Sequence, residues 1–245
     1  MAEDDLNDSL ISLSRLLTGH QPLRDTLTRI AEFAVHAIPG ADGAGLTMLE
    51  ADRPQTVVAT ADFVQQVDDV QYGIGEGPCL MAVATGRTQV AGSLGGEERW
   101  PRFGPRVGRL GVHSALSLPL LLGDQVLGAM NVYAHEKNAF GPEAVRVGEA
   151  YSGPAAVSVH NAQILATSQR LAEQLQQALS TRAVIDQAMG VMRSRTGCSA
   201  AEARDRLMEI SRKQGLKVSL VAQNLIDGAV RSARARSVRS TQEAP

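Results

Sequence analysis

The sequence predicts an α+β domain, with an antiparallel sheet flanked by helices, joined by a long, partly coiled-coil helix to an all-α C-terminal region. Apolar residues repeat with helical spacing near the N-terminus and again from residue 142 onward, whereas short β-rich runs occupy the centre of the chain. A strict seven-residue apolar repeat crosses the C-terminal half. At 245 residues and 44% hydrophobic side chains, the chain has ample apolar content for packed cores.

Residues 5–38 are predicted to form two amphipathic helices. Leucines recur at spacings of 4, 3 and 4 residues from Leu6 to Leu17, and a second apolar series follows Pro22. Pro22 is expected to open the second helix, because proline is favoured in the first helical turn. The first helix is assigned to an N-terminal segment, residues 1–21.

The centre of the chain is predicted to form short strands, and these cover residues 43–50, 56–61, 88–91, 114–122 and 125–134. The last two strands are expected to pair as a hairpin, because Gly123-Asp124 between them suits a type II′ turn. Both faces of the final strand carry apolar residues, so both are expected to be covered. The glycine-rich segments 72–80 and 93–105 are expected to be loops over the sheet.

A seven-residue repeat dominates the C-terminal helical region. The repeated positions are Val157, Ile164, Leu171, Ala178, Ile185 and Met192. Leu175 lies four residues after Leu171, so this apolar seam is strongest between Leu171 and Ala178. The pattern predicts a parallel coiled coil whose dimerisation contacts are Val157, Ile164, Leu171, Leu175 and Ala178. The alternative is a long helix that packs one face on its own domain.

Two shorter helices are predicted beyond Gly197. Ser199 and Glu202 have the spacing of a capping box at the start of a helix over about 200–213, which Gly215 ends. Ser219 is expected to cap another helix over about 220–230. The stretch RSARARSVRS has four arginines and no acid, so residues 232–245 are predicted to be a basic disordered tail.

Charge is distributed unevenly along the chain. Residues 1–167 hold 11 basic and 19 acidic side chains, a charge of −8, whereas residues 168–245 hold 13 basic and 7 acidic, a charge of +6. This asymmetry suggests that the C-terminal third approaches a polyanion, although a solvated basic helix surface would have the same composition. The acidic N-terminus, the two distant cysteines and the lack of a long apolar stretch favour a cytoplasmic protein.

The sequence offers few catalytic or metal-binding patterns. It contains no HExxH, no GxSxG and no phosphate loop, and its five histidines lack paired ligand spacing, so neither catalytic residues nor a metal site are predicted. The adjacent acids Asp68-Asp69 are expected to be solvated surface. Cys79 would need a cationic neighbour or a helix N-terminus to be reactive, and a buried inert thiol is the favoured interpretation.

Residues 22–165 resemble a GAF domain. The resemblance is carried by the GIGEGPC loop, RWPRF, the hairpin SLPL…GDQVLGAMNVYA and the long exit helix, and it is closest to actinobacterial GAF domains. Cyclic-nucleotide-binding GAF domains carry an NKxxF motif followed by paired acids. Here Glu136 replaces the asparagine and Ala144-Val145 replace the acids, so cyclic GMP is not expected.

The GAF resemblance implies a small-molecule pocket between the sheet and the loops, and it leaves the ligand and any cofactor unknown. The candidate ligand-binding residues are Tyr72, Glu76, Cys79, Trp100, Asn131 and Tyr133. The alternative is that Trp100 and Tyr133 fill the core and the domain is a dimerising scaffold.

Residues 178–230 resemble the ANTAR domain, the RNA-binding output module of transcription antitermination regulators. The matching features include Arg182, Ile185, the Gln187-Ala188-Met189-Gly190 run, the Gly197-Cys198-Ser199 turn and Leu207. Residues 166–180 are assigned to a coiled-coil linker helix, and residues 181–231 to the ANTAR domain. The candidate RNA-binding residues are Gln187, Ala188, Met189, Gly190, Arg193, Arg206, Arg212, Lys213, Lys217 and Ser219.

One departure from the ANTAR pattern concerns Met189, which stands where many members have lysine, so one potential phosphate contact is missing. Ala188, Met189 and Gly190 could alternatively serve only helix packing.

Together, the two resemblances imply a non-enzymatic, signal-responsive antitermination regulator. Its expected partners are RNA hairpins in nascent transcripts, a second copy of the chain, and a small molecule or an upstream signalling protein at the GAF domain. The alternatives are a GAF-type redox enzyme that acts through Cys79, a DNA-binding regulator and a protein-interaction regulator.

Overall fold

The computed structural model describes residues 2–16, 22–50 and 53–242. The chain divides into two compact units, Met1–Thr167 and Ser168–Pro245. In the first unit the elements before the sheet's final hairpin are α1 (Ala2–Leu16), α2 (Leu23–Ala37), β1 (Gly43–Glu50), β2 (Arg53–Ala59), α3 (Asp62–Ile74), α4 (Pro78–Thr85), β3 (Gln89–Ala91) and α5 (Gly104–Gly108). The strands β4 (Ser114–Leu122) and β5 (Gln125–Ala134) complete the sheet of the first unit. Helix α6 (Pro142–Thr196) begins in the first unit and ends in the second, which also contains α7 (Ala200–Gln214) and α8 (Val218–Gln242).

The first unit is built on a five-stranded antiparallel sheet with the strand order β2-β1-β5-β4-β3. The predicted β4–β5 hairpin is confirmed, and its turn residue Gly123 has a φ of 59°, which glycine adopts without strain. Residues 128–134 of β5 are buried on both faces, as expected from the apolar pattern. The observed α+β architecture therefore matches the sequence prediction.

Two hydrophobic cores lie on opposite faces of this sheet. Met130 and Val132 of β5 belong to the core that contains α1, α2 and the first turns of α6. Tyr133 belongs to the other core, together with Trp100 and Phe103. Alternating residues of one strand therefore supply both cores.

The expectation that 72–80 and 93–105 are loops is wrong in part. The structure ends α3 at Ile74 and begins α4 at Pro78, and Gly104 begins α5. Gly75 adopts the left-handed conformation that ends α3, and Pro78 occupies the first turn of α4, where proline costs no helical hydrogen bond. Most of α3 was not predicted, since its inward stripe includes polar residues.

Helix α6 extends over 55 residues and contains Pro154. In the second unit, Ser199 and Glu202 form the predicted capping box at the start of α7, and Gly215 ends that helix in the left-handed conformation. Helix α8 begins at Val218, so Ser219 lies inside the helix rather than capping it. The structure continues α8 to Gln242, and residues 232–242 are therefore helical where a disordered tail was expected. No glycine or proline interrupts the helix after Gly228.

Residues 17–21 of the predicted N-terminal helix segment, and residues 243–245 of the predicted tail, lie outside the described residues. None of the helices in the described part is both long and apolar enough to span a bilayer.

Candidate functional site

A buried cluster of polar side chains lies between the sheet and α3, centred on Asp68. The Asp68 carboxylate is fully buried and accepts hydrogen bonds from Tyr133 Oη at 2.6 Å and from Thr56 Oγ1 at 2.7 Å. Asn131 Nδ2 donates to the same carboxylate at 3.2 Å, and Gln71 Nε2 donates at 3.4 Å. These donors come from β2, β5 and α3, so Asp68 ties the helix to the sheet.

A second layer of this polar cluster surrounds Tyr72 and Thr47. Their hydroxyl oxygens lie 2.6 Å apart, and Tyr72 Oη is 2.8 Å from Thr56 Oγ1. Thr47 Oγ1 also accepts hydrogen bonds from Asn131 Nδ2 at 3.0 Å and from Cys79 Sγ at 3.4 Å. Tyr72 and Thr56 are half-buried, whereas Thr47, Asn131 and Cys79 are fully buried. The cluster therefore runs from a half-exposed edge into the interior.

Helix α4 is attached to the cluster through Gln71. The Gln71 Oε1 atom accepts a hydrogen bond from the backbone N–H of Cys79, in the first turn of α4, at 2.9 Å. Gly77 precedes this turn with a φ of 154°, and a Cβ at that position would overlap with the Gln71 side chain. Gly86 ends the helix with a φ of 63°. A glycine with a positive φ thus bounds α4 on each side.

Burial changes the acid–base properties of the cluster. Burial raises the pKa of Asp68 to about 6, and the hydrogen bonds from Tyr133, Thr56 and Asn131 act in the opposite direction. No Lys, Arg or His among the described residues forms an ion pair with Asp68. Burial also raises the pKa of the Tyr72 and Tyr133 hydroxyls. Within the cluster, Asp68 is therefore the group whose charge changes near pH 6.

Four of the six predicted ligand-binding residues meet in this cluster, and they are Tyr72, Cys79, Asn131 and Tyr133. Asp68, Thr47, Thr56 and Gln71 complete the cluster but were not predicted. The expectation of a solvated surface is wrong for Asp68, although Asp69 is exposed. The helical turn explains the difference, because Asp68 follows the buried Val64 and Val67 on the inward side of α3.

Glu76 and Trp100 lie outside the polar cluster. Glu76 Oε1 accepts hydrogen bonds from the backbone N–H groups of Arg102 and Phe103 at 2.7 and 3.2 Å, and Arg102 Nε donates to Glu76 Oε2 at 3.0 Å. Desolvation acts to raise the pKa of Glu76, but these hydrogen bonds outweigh that effect and keep the pKa below its usual value. Trp100 is buried in the hydrophobic core, with the Arg99 guanidinium 4.4 Å from the ring centroid. Glu76 therefore holds two loops together.

Cys79 is a buried thiol, as the favoured interpretation expected. Its position in the first turn of α4 would favour the thiolate, but burial raises the pKa of Cys79 to about 12, and the neighbouring Asp68 charge acts in the same direction. The Cys79 Sγ is fully buried and donates to Thr47. This environment stabilises the protonated thiol.

Three buried side-chain atoms of this unit have no hydrogen-bond partner among the described residues. They are Asn131 Oδ1, Ser117 Oγ and Trp100 Nε1. Ser117 and Asn131 are directly paired in the β4–β5 register, so their side chains share one face of the sheet. The unpartnered Asn131 Oδ1 leaves hydrogen-bonding capacity inside the cluster, and Ser117 Oγ leaves more on the same face of the sheet. In the described part of the chain, no three His, Cys, Asp or Glu side chains gather into a metal-binding group.

The second unit has a small core formed by Ala188 of α6, Leu207 of α7, and Val221 and Ala222 of α8. Ala188 is completely buried there. Its assignment as an RNA contact is therefore wrong, because α7 and α8 cover its side chain. The alternative that Ala188 serves helix packing accounts for its burial.

Five of the remaining candidates line one of two grooves in the second unit. Met189, Lys217 and Ser219 line an open groove of about 850 Å³ together with Arg182 and Arg204. Gln187 and Gly190 line a second groove, of about 830 Å³, between α6 and α8. The sequence analysis did not list Arg204, and it used Arg182 only as part of the ANTAR pattern. We call the first of these the cationic groove, because its three basic side chains outnumber Asp186, the one acidic side chain in its lining, which lies 3.9 Å from Arg182 Nε.

The other predicted RNA-binding residues are exposed cations outside both grooves. Arg193 follows Met189 by one helical turn and so shares its side of α6. Arg212 lies two turns after Arg204 on α7. Arg206 lies on a different side of α7, and Lys213 Nζ pairs with Glu209 Oε1 at 2.6 Å. Helical geometry therefore places Arg193 and Arg212 nearer the side of the cationic groove than Arg206 and Lys213.

The seam residues of α6 are exposed. Leu171 is 56% exposed and Leu175 58%, and Leu179, which lies outside the predicted seam, is 69% exposed. Every residue from 167 to 180 is exposed. Val157 and Ile164 are also exposed. The alternative that this face packs on its own domain is therefore not supported for residues 167–180.

Comparison with known proteins identifies both units. The sequence profile of the GAF domain matches residues 20–160, and that of the ANTAR domain matches residues 173–226. A search of curated protein sequences found no match.

Several solved structures share the fold of the first unit. The GAF domain of a phosphoenolpyruvate-protein phosphotransferase from Coxiella burnetii is 15% identical, with a TM-score of 0.52, over 66% of this chain and 97% of that chain. The corresponding domain from Acinetobacter is 14% identical, with a TM-score of 0.51, over 66% of this chain and 97% of that chain. A GAF domain from A. aeolicus is 12% identical, with a TM-score of 0.51, over 64% of this chain and 97% of that chain. With the family match over more than half of its length, the chain belongs to the GAF domain family and carries an ANTAR domain after its GAF domain.

Proposed function

We propose that this protein is a signal-responsive transcription antitermination regulator whose ANTAR domain binds paired RNA hairpins as a dimer. ANTAR domains are RNA-binding antitermination modules, and GAF domains bind ligands or signalling partners. The cationic groove is the observation that carries the proposal. It presents Arg182, Arg204 and Lys217 on the surface of the ANTAR domain.

The chemistry of the cationic groove suits a hairpin loop. Arginine and lysine contact phosphates, and this contribution supplies much of the affinity for RNA. Residues 168–245 contain no Phe, Tyr or Trp, so unstacked bases would lie against arginine planes and against Met189 rather than on aromatic rings. Ser219 at the groove edge adds a hydroxyl that can donate to or accept from a base.

The contact residues we propose centre on the cationic groove. They comprise Arg182, Met189, Arg193, Arg204, Arg212, Lys217 and Ser219. Gln187 and Gly190 on the second groove, and Arg206 and Lys213 on the remaining side of α7, are proposed as secondary contacts. Ala188 has a packing role only.

Dimerisation through α6 is supported by the exposed segment 167–180. An isolated helix as short as segment 167–180 is only marginally stable in water. Three leucines of this segment are more than half exposed, and their apolar surface in contact with water destabilises the unpaired helix further. Pairing of two such helices through Leu171, Leu175 and Ala178 would bury the seam, with Val157 and Ile164 extending it. A dimer would present two ANTAR domains, as two linked hairpins require.

The GAF domain would supply the signal. A molecule that binds one conformation of the GAF domain more tightly shifts the population toward that conformation. We propose that the polar cluster is the site of this binding, through Tyr72, Asn131 and Tyr133 together with Asp68. Glu76 and Trp100 would act indirectly, by holding the surrounding loops and core.

We propose no enzymatic role for Cys79. A redox enzyme requires an accessible thiolate, whereas the Cys79 thiol is fully buried and its pKa is raised. It is also the lone cysteine within the GAF match.

The test is binding of the purified full-length protein to an RNA with two hairpins from a leader sequence. Fluorescence anisotropy would be recorded from about 50 to 200 mM salt, with light scattering to give the mass of the complex. Salt-sensitive binding by a dimer, resistant to duplex DNA competitor, is expected. Equal competition by duplex DNA would instead support the DNA-binding alternative. A dimer that binds neither nucleic acid would support a protein-interaction regulator.

A further inference from the structure

We propose that the polar cluster binds a small organic cation, with an ammonium or guanidinium group that pairs with Asp68. This inference rests on the proposed sensing role of the GAF domain and adds the chemistry of the ligand. It also predicts that anionic ligands such as cyclic nucleotides are rejected.

The charge around Asp68 favours a cation. A buried carboxylate is costly unless it is paired, and Asp68 is held by neutral donors alone among the described residues. The titratable groups that face it are Tyr72 on α3, Cys79 on α4 and Tyr133 on β5, and none of them can become positive. Asp69 adds a further negative charge nearby. The site therefore lacks the positive partner that its carboxylate would prefer.

Unused acceptors on Asn131 and on its sheet neighbour support the same chemistry. Asn131 donates to Asp68 through Nδ2, whereas its Oδ1 has no described partner. Ser117 Oγ, on the residue paired with Asn131 in the sheet, has none either. An ammonium group carries three N–H donors and a guanidinium five, and neither accepts a hydrogen bond. A donor-only ligand is therefore complementary to an amide oxygen, a hydroxyl and a carboxylate.

The half-exposed edge of the cluster offers an entry. Thr56 lies on β2, which is an edge strand of the sheet, and its hydroxyl donates to Asp68 Oδ2 at 2.7 Å. Tyr72 Oη contacts the same threonine hydroxyl, and both residues are half-buried. A ligand N–H that replaces the Thr56 hydroxyl would reach the carboxylate directly. The Tyr72 ring would then lie beside the cation, where its π face is attractive.

The test uses the full-length protein with methylguanidine, ethylamine and cyclic GMP as probes, by thermal shift and isothermal calorimetry at pH 7.5. The cationic probes are expected to raise the melting temperature saturably, whereas cyclic GMP has no effect. Asp68→Asn should weaken cation binding at least about tenfold, because the charge is lost. Asp69→Asn is the matched control, since it removes an adjacent but exposed carboxylate and should weaken cation binding far less than Asp68→Asn does.

Ser117→Ala provides a second variant that breaks no hydrogen bond of the described structure, and it should weaken binding a few-fold. Binding at pH 5 should also be weaker than at pH 7.5, because protonation neutralises Asp68. Three results would overturn the proposal: no saturable effect of either cation, equal stabilisation by cyclic GMP, or full affinity in Asp68→Asn. RNA binding is measured in parallel without any probe. Failure to bind RNA would count against the proposed regulator function, whereas failure to bind the cations alone would count only against this inference.

Discussion

The Tyr133 hydroxyl on β5 donates a 2.6 Å hydrogen bond to the Asp68 carboxylate on α3, and the two residues are 65 positions apart in the sequence. Both side chains are fully buried. Helix α3 is thus fixed to the middle of the sheet by a charged hydrogen bond, which is stronger than a neutral one. Any event that changes the charge of Asp68 changes the attachment of this helix.

The stability of the GAF domain should depend on pH through Asp68. Its pKa is raised to about 6 in the folded state from 3.8, so the folded protein takes up a proton more readily than the unfolded chain. The resulting stabilisation is fully present below about pH 4 and is lost as the pH rises through about 6. Between pH 5 and pH 7.5 we expect a loss of about 1 kcal/mol in the free energy of unfolding.

Asp68→Asn removes this dependence, so the variant should gain stability relative to the unmodified protein as the pH rises. Urea unfolding at pH 5 and pH 7.5 measures the effect. Asp69→Asn should keep most of the pH dependence, because burial is the main cause of the raised pKa of Asp68 and the Asp69 charge is a smaller one. An identical pH dependence in Asp68→Asn would show that another group is responsible.

Cys79 and Cys198 should differ sharply in thiol reactivity. Cys79 is buried with a pKa raised to about 12, whereas Cys198 is half-exposed at the turn between α6 and α7. The two thiols are compared in native single-cysteine variants, with Cys79 as the remaining thiol in Cys198→Ser and Cys198 as the remaining thiol in Cys79→Ser. In the time that a disulfide reagent labels Cys198 completely, it should label less than about a tenth of Cys79. Rapid labelling of native Cys79 would revive the redox alternative.

The seam of α6 should control dimerisation. Leu171→Glu or Leu175→Glu would place a charge in the apolar contact between two helices. Light scattering should then give the mass of a monomer, and affinity for two-hairpin RNA should fall about tenfold or more, since two linked contacts become one. Gln176→Glu adds the same charge away from the seam and should stay dimeric. A dimeric Leu171→Glu protein would mean that the seam is wrongly assigned.

Arg204 and Arg206 allow the cationic groove to be tested within one helix. Both are exposed on α7, but only Arg204 lines the groove. Arg204→Ala should weaken RNA binding several-fold and reduce the slope of log K against log salt by about 1, as loss of a phosphate contact requires. Arg206→Ala should have the smaller effect. The reverse order would place the RNA on the other side of α7.

Local signals made much of the fold predictable. The β4–β5 hairpin follows from Gly123 between two apolar runs, and the start of α7 follows from the Ser199 and Glu202 spacing. Each of these signals lies within a few residues of the element that it determines.

The centre of the polar cluster could not be predicted in this way. The donors to Asp68 include Thr56, Asn131 and Tyr133, which are 12, 63 and 65 residues away. Asp68 beside Asp69 has the composition of an exposed surface, and only the fold shows that one side of α3 is covered. Ala188 shows the opposite case, because a sequence motif selected it for function and burial assigns it to packing.

The position of the aromatic residues has a practical consequence for spectroscopy. The single tryptophan, Trp100, is buried in the GAF domain, and every tyrosine and phenylalanine also precedes residue 168. Intrinsic fluorescence therefore reports the GAF domain alone, whereas the ANTAR domain contributes only to the far-ultraviolet helical signal. A change in the far-ultraviolet signal without a change in fluorescence would therefore identify unfolding of the ANTAR domain in an unlabelled sample.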